Sequence, residues 1–286
     1  MPIPGSILNS WSHHHSGKAS IQAHTSIREV LESYTLRTKG FKYNIFLQGS
    51  YKNDTNLHRD SDVDVVVQLA VKLQPQVATL SNSQLMNDQS HKLTYERWRL
   101  FRSHVLKALR FAYGTKAVTT GRKSLKLAKG LLHASADVVV TVKCGDGIAF
   151  YLPAEHRWVV SYPEQHYANG LKKEKATNNR FKRTIRMFKA TRNHLQDNRL
   201  IKERTAPSYF IECLLYNVPD KLFRPRLDES YTGIVEYLKT TNLQGFKCQN
   251  GIHKLFCTSK DLWSQNEART IIQALERLWK KWPEST

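Results

Sequence analysis

The sequence predicts an α+β fold, with a mixed α/β first half and a helical second half. Two short β-branched runs, over 63–69 and 136–142, are spaced by longer stretches of helical periodicity. Beyond Pro163 the apolar residues recur only at helical spacing. With 286 residues, 40% of them hydrophobic, the chain suits one large domain or two lobes around a shared cleft.

Residues 1–19 show little pattern and read as a mobile leader, and its His13-His14-His15 triplet is given no role. Ile21, Ile27, Val30, Leu31 and Tyr34 predict a helix over 20–34, with Gly40 available to stop it. A short strand over 43–48 turns at Gly49-Ser50, and the apolar strand 63–69 follows a polar stretch. Gln, Asn and Ser make 74–92 a surface connection, and a helix follows over 94–111. After the strand 136–142, segments 147–152 and 157–160 read as a hairpin. Helices are expected over 179–196, 207–216, 231–239 and 266–281. The division is a catalytic lobe with an N-terminal helix over 1–162 and a helical lobe over 163–286.

Lys and Arg number 44 against 24 Asp and Glu, a net charge of +20. That balance favours polyanionic partners, whether nucleic acid, nucleoside triphosphates or an acidic membrane face. No apolar run approaches the roughly 20 residues that span a bilayer. The start carries no signal-peptide pattern, and four irregularly spaced cysteines make no disulfide framework, so a cytoplasmic setting is expected.

The chemistry concentrates in 46–67. The first strand ends at Gly49-Ser50, where a small residue and a hydroxyl let backbone approach a phosphate. Asp62 and Asp64 follow, two apart at a strand entry, so both carboxylates face one side. Crowded carboxylates call for a cation, and hard oxygen donors suit Mg²⁺ or Mn²⁺ completed by substrate phosphates. Asp137, opening the other apolar strand, is the candidate third carboxylate. Asp60 shares the Asp-x-Asp spacing with Asp62, but Asp62 and Asp64 lie against the strand. The combination points to in-line attack on a phosphoryl group.

Gly49-Ser50, Asp62-Val63-Asp64 and Asp137 together resemble the polymerase-β-like nucleotidyltransferases. The longer segments Leu47–Asn56 and Ser61–Val67 resemble the bacterial cGAS/DncV-like nucleotidyltransferases. The resemblance extends over residues 25–282. It implies a nucleotidyltransferase lobe with a mixed sheet, a helical C-terminal lobe and an active site in the cleft between them. It also implies two Mg²⁺ or Mn²⁺ per site on Asp62, Asp64 and Asp137, and a cyclic di- or trinucleotide product serving antiphage signalling. Lys189 matches a helix lysine on the triphosphate, Ser208 a serine on phosphate and Tyr209 an aromatic beside the base. The substrates implied are nucleoside triphosphates, ATP with a second base left open. A nucleic acid or a regulatory protein partner is allowed and not required, and no membrane is expected.

The later positions also have local reasons. Phe181, Ile185, Phe188 and Leu195 mark one face of their helix, with Lys182, Arg186 and Lys189 as a cationic stripe on its flank. Pro207 suits a first helical turn, which puts Ser208 at a helix N-terminus where phosphate oxygens are favoured. Tyr209 equally fits a core position.

Gly121-Arg122-Lys123-Ser124 lacks the spacing of a phosphate-binding P-loop and reads as a basic loop near the cleft. Cys248, His253 and Cys257 lack paired spacing and a fourth ligand for zinc; Cys144 and Cys213 read as buried thiols. Two alternatives stay open: template-independent RNA tailing, and non-enzymatic binding of nucleotide or double-stranded RNA.

Overall fold

The computed structural model describes residues 2–13, 18–34, 40–57, 62–80, 82–130, 132, 134–256 and 263–282. In chain order the elements are α1 (Gly5–Ser12), α2 (Lys18–Ser33), β1 (Tyr43–Leu47), α3 (Gly49–Asn53), β2 (Val63–Leu73), α4 (Asn82–Asn87), α5 (Gln89–Tyr113), β3 (Val118–Thr120), β4 (Leu125–Leu127), β5 (Ala136–Cys144), β6 (Gly147–Leu152) and β7 (Arg157–Ser161). Five helices follow: α6 (Pro163–Ala176), α7 (Phe181–Asp197), α8 (Ser208–Tyr216), α9 (Leu227–Thr240) and α10 (Gln265–Lys280). Of the described residues, 18–52 and 62–163 make one compact unit, and 2–13, 53–57 and 164–282 make the other. No described helix is long and apolar enough to cross a membrane.

The first unit is built on a mixed sheet. Its strands run β1-β2-β5-β4-β3, with β6 pairing β5 and β7 pairing β6. β2 and β5 are parallel, and the other pairings are antiparallel. Along β2 the period of two sends Val63, Val65, Val67 and Leu69 into a core shared with Ile27 and Leu31 of α2 and Phe101, Val105 and Leu109 of α5. The intervening Asp64, Val66 and Gln68 take the other face. Trp98 on α5 donates its indole N–H to the Val140 carbonyl at 2.9 Å, tying that helix to β5.

Three expectations for this unit are revised. α5 begins five residues before the expected position, because the Asp88 side chain caps it by accepting the His91 amide at 2.6 Å. The stretch read as a surface connection holds a 3₁₀ turn and α4. The β3–β4 hairpin was not anticipated, since strands of three residues are too short to show a period.

In the helical unit, Phe181 and Ile185 of α7, Phe210 of α8, Tyr231 and Ile234 of α9, and Ile271 and Leu275 of α10 share one core. Ile3 and Leu8 join it, at 2% and 0% exposure, so the stretch expected to be a mobile leader contains a packed helix. Trp11 lies 5.5 Å from the His194 ring and 5.7 Å from Trp282. The expected division at 1–162 is corrected accordingly: α1 and residues 53–57 group with the helical unit. His14 and His15 lie outside the described residues. α6 was missed because it buries only His166 and Gly170, which leaves no apolar stripe to read.

Candidate active site

The pairing register of the sheet brings the carboxylates together. Asp64 on β2 sits directly opposite Asp137 on the parallel neighbour β5, so both side chains project from the face away from the core. Gln48 at the end of β1 donates its amide to the Asp64 carbonyl at 3.0 Å. Gly49 then turns the chain at φ +70°, and a Cβ there would stand 2.0 Å from the Asp64 Oδ2. Only glycine permits both that backbone conformation and that approach. Ser50 follows in the first turn of α3, half-buried. Asp62 is exposed just ahead of β2, and its Oδ1 accepts the Ser135 hydroxyl. Asp60 lies outside the described residues.

Electrostatics fit a cation-binding face. Burial pushes the Asp137 carboxyl above its ordinary value; Lys126 pulls it back, Asp62 adds to the rise, and Lys123 and a hydrogen bond from Ser124 oppose it. Burial, then the neighbouring Asp62, likewise raises the Tyr51 phenol. Among the described residues no three His, Cys, Asp or Glu side chains are gathered to hold a metal ion by themselves. Hard carboxylate donors, exposed at Asp62 and partly buried at Asp64 and Asp137, beside a glycine cradle, nevertheless fit a divalent cation of the Mg²⁺ type, which keeps most of its shell for water and substrate oxygens.

In the helical unit the expected cationic stripe on α7 is corrected. Lys189 is 1% exposed and donates all three ammonium protons: to Thr55 O at 3.0 Å, to Thr55 Oγ1 at 3.1 Å and to Glu212 Oε1 at 2.5 Å. An ammonium has three donors, so none remains for a phosphate in this arrangement. Glu212 is completed by the Thr55 hydroxyl at 2.7 Å, by His166 Nε2 at 2.9 Å and by Asn53 Nδ2 at 3.4 Å. Burial alone would raise Glu212, but Lys189 and His166 outweigh it and hold the carboxyl well below its usual range. Arg186 donates to Ser12 O at 2.8 Å and Asp54 O at 2.6 Å, and Lys182 stands 4.0 Å from the Asp54 carboxylate. These three cations therefore bind residues 53–55 into the helical unit rather than forming a solvated flank.

Ser208 opens α8 and Tyr209 follows it. Arg192, which sequence reasoning missed, donates to Ala206 O at 2.6 Å and reaches Ser208 Oγ at 3.3 Å. This puts a guanidinium beside the free amides of a helix N-terminus, a pairing suited to phosphate oxygens. Its position on α7, one turn past Lys189, was the available signal. Tyr209 is 40% exposed and stacks on His166 with ring centres 5.2 Å apart, so it is not a core residue. Trp263 borders it at 5.9 Å.

The expected thiols Cys144 and Cys213 are buried and free of disulfide bonds, as is Cys248 of the rejected zinc set, whereas Cys257 lies outside the described residues. The basic loop at Gly121 is the β3–β4 turn, closed by the Gly121 amide donating to Ser124 O at 2.8 Å.

Comparison with known proteins identifies the family. Residues 168–280 match the model of the cGAS/DncV-like nucleotidyltransferase C-terminal helical domain. The chain is 40% identical to the cyclic UMP-AMP synthase of Rhodothermus marinus, over 99% of each chain. The structure of the Rhodothermus marinus CdnE c-UMP-AMP synthase with Apcpp and Upnpp superposes with a TM-score of 0.83, at 37% identity, covering 100% of this chain and 99% of that one. The Elizabethkingia meningoseptica CdnE cyclic dinucleotide synthase with GTP and Apcpp gives 0.73 at 26% identity, covering 96% and 98%. With full-length similarity, a mixed sheet that pairs Asp64 with Asp137, and a helical unit of the matching type, the chain belongs to the cGAS/DncV-like nucleotidyltransferases.

Proposed function

We propose that the protein condenses nucleoside triphosphates into a cyclic di- or trinucleotide with release of pyrophosphate. The observation that carries the reading is the Asp64–Asp137 register under the Gly49 turn. The synthase names of the full-length relatives support it. ATP is the first candidate substrate, since the two structural relatives cited above were solved with an adenosine analogue. The product would act as a second messenger in antiphage defence, as the family resemblance implies.

Asp62, Asp64 and Asp137 would hold two Mg²⁺ or Mn²⁺, which when bound neutralise phosphate charge and favour ionisation of the attacking hydroxyl. Gly49 and Ser50 present backbone and hydroxyl to the phosphates. Asp137, from its own strand, would serve the side of the attacking ribose hydroxyl. Ser208, the α8 amides and Arg192 would take the oxygens of the triphosphate tail. Tyr209, braced by His166, offers a ring face to the base. Lys189 would support triphosphate binding indirectly, by holding Glu212 and residues 53–55 in place. Preorganised charge would supply most of the catalysis.

The test is incubation with all four labelled triphosphates and Mg²⁺ or Mn²⁺, then phosphatase treatment and mass spectrometry. Phosphatase-resistant cyclic products are expected. Extension of an added RNA with no cyclic product would instead establish an RNA-tailing enzyme. Binding of triphosphate without any turnover would leave a non-catalytic binder.

A further inference from the structure

The acidic face is bordered by a cation that the chain supplies itself. β4 pairs antiparallel with β5 so that Lys126 lies directly opposite Asp137, which is itself opposite Asp64. Directly paired residues on adjacent strands share a face, so the three neighbouring strands carry minus, minus and plus side by side. The placement is enforced. Leu125 and Leu127, on either side of Lys126, are buried at 0% and 2%, and a slip of one residue would exchange them with the lysine. The hairpin turn also leaves room for the side chain: a Cβ on Gly121 would stand 3.1 Å from Lys126 Cε and 3.2 Å from Ser124 O. Of the other cations in this turn, Arg122 is held by Glu155 at 2.5 Å, which leaves Lys123 as a second positive neighbour of Asp137.

A lysine on an exposed hairpin is ordinarily only solvated. Here the register and the flanking leucines hold it on the same face as Asp64 and Asp137, near enough for its charge to act on Asp137, and those carboxylates would repel one another in the absence of a cation.

We propose that Lys126 is a resident countercation of the carboxylate face, a positioning residue that competes with divalent metal in the nucleotide-free enzyme and passes to a phosphate when nucleotide arrives. The inference rests on the reading of Asp62, Asp64 and Asp137 as a cation site. Its consequence is that divalent metal binds weakly to the empty enzyme and enters chiefly with the triphosphate.

The experiment is a Mn²⁺ titration of the full chain without nucleotide, following free Mn²⁺ by electron paramagnetic resonance. Folding of each variant is checked by circular dichroism. Lys126→Met should bind Mn²⁺ about five-fold more tightly than the parent, the order expected for removing one solvent-screened neighbouring charge. Lys126→Arg should behave as the parent, because the charge is kept. Repeated with a non-hydrolysable ATP analogue present, the gain of Lys126→Met should vanish or reverse. Unchanged or weaker Mn²⁺ binding by folded Lys126→Met overturns the inference, as does a gain that persists undiminished with the analogue. Asp64→Asn separates the two levels. If it leaves Mn²⁺ binding intact, the cation-site reading fails and the inference falls with it. If it abolishes binding while Lys126→Met changes nothing, the inference alone fails.

Discussion

Gly49 and Asp137 are the two positions at which a single atom decides the outcome. At Gly49 both the φ of +70° and the 2.0 Å approach to Asp64 exclude a side chain. Gly49→Ala should therefore cost about 1–3 kcal/mol in stability, through left-handed strain and displacement of Asp64. Because the displaced atom belongs to the carboxylate face, turnover should fall by more than stability explains; thermal unfolding and a product assay check the two together. Asp137 carries the opposite sign. Its folded carboxyl titrates above the ordinary value, chiefly through burial, so its ionisation costs stability as pH rises from the ordinary carboxylate range through the raised value. Asp137→Asn removes that cost and should raise the melting temperature at neutral pH. The same change should lower kcat strongly while the affinity for a non-hydrolysable triphosphate shifts only a few-fold. Loss of analogue binding by the folded variant would move Asp137 to the substrate side of the site.

Helices α6, α7 and α8 meet at one buried ion pair, and their cooperation can be measured there. Removing one partner leaves the other charged and unsolvated. Glu212→Gln or Lys189→Met should each cost about 3–5 kcal/mol, whereas Lys189→Met with Glu212→Leu should cost clearly less than the sum. Lys280 is the control: it is exposed and paired with Glu276 at 2.7 Å, and Lys280→Ala should change stability by less than about 0.5 kcal/mol. Urea unfolding of the four variants tests this element directly. Glu212, held below its ordinary value, contributes stability that is present above the ordinary carboxylate range and is lost as pH falls below it. Glu212→Gln should consequently lose less stability on acidification than the parent does.

Over the whole chain the net charge of +20 acts as a field. Triphosphate binding should weaken as salt rises from roughly 50 to roughly 300 mM, because screening shortens the reach of that field. Calorimetry with a non-hydrolysable triphosphate at several ionic strengths checks it, and salt-independent affinity would confine the recognition to local contacts.

The β-branched runs at Val63 and Val138, the Gly49-Ser50 turn and the Asp62-Val63-Asp64 spacing were legible because strand periodicity and turn chemistry are local. They determine that strands form there and that Asp62 and Asp64 stand at the entry of one of them. The pairing of Asp64 with Asp137 is different, since 73 residues separate them and only the parallel register of β2 and β5 makes them neighbours. The same holds for Lys126, which no local pattern singles out and which meets Asp137 only because β4 docks on β5. Lys189 shows the limit most plainly. Its spacing along α7 matches a surface stripe, but whether a long ammonium faces water or a buried carboxylate depends on Glu212 and Thr55, which come from elsewhere in the chain. Residues 2–13 carried too few apolar positions to announce a helix, yet Ile3 and Leu8 fill the helical core. Local pattern determines which elements form; long-range packing decides which charges meet.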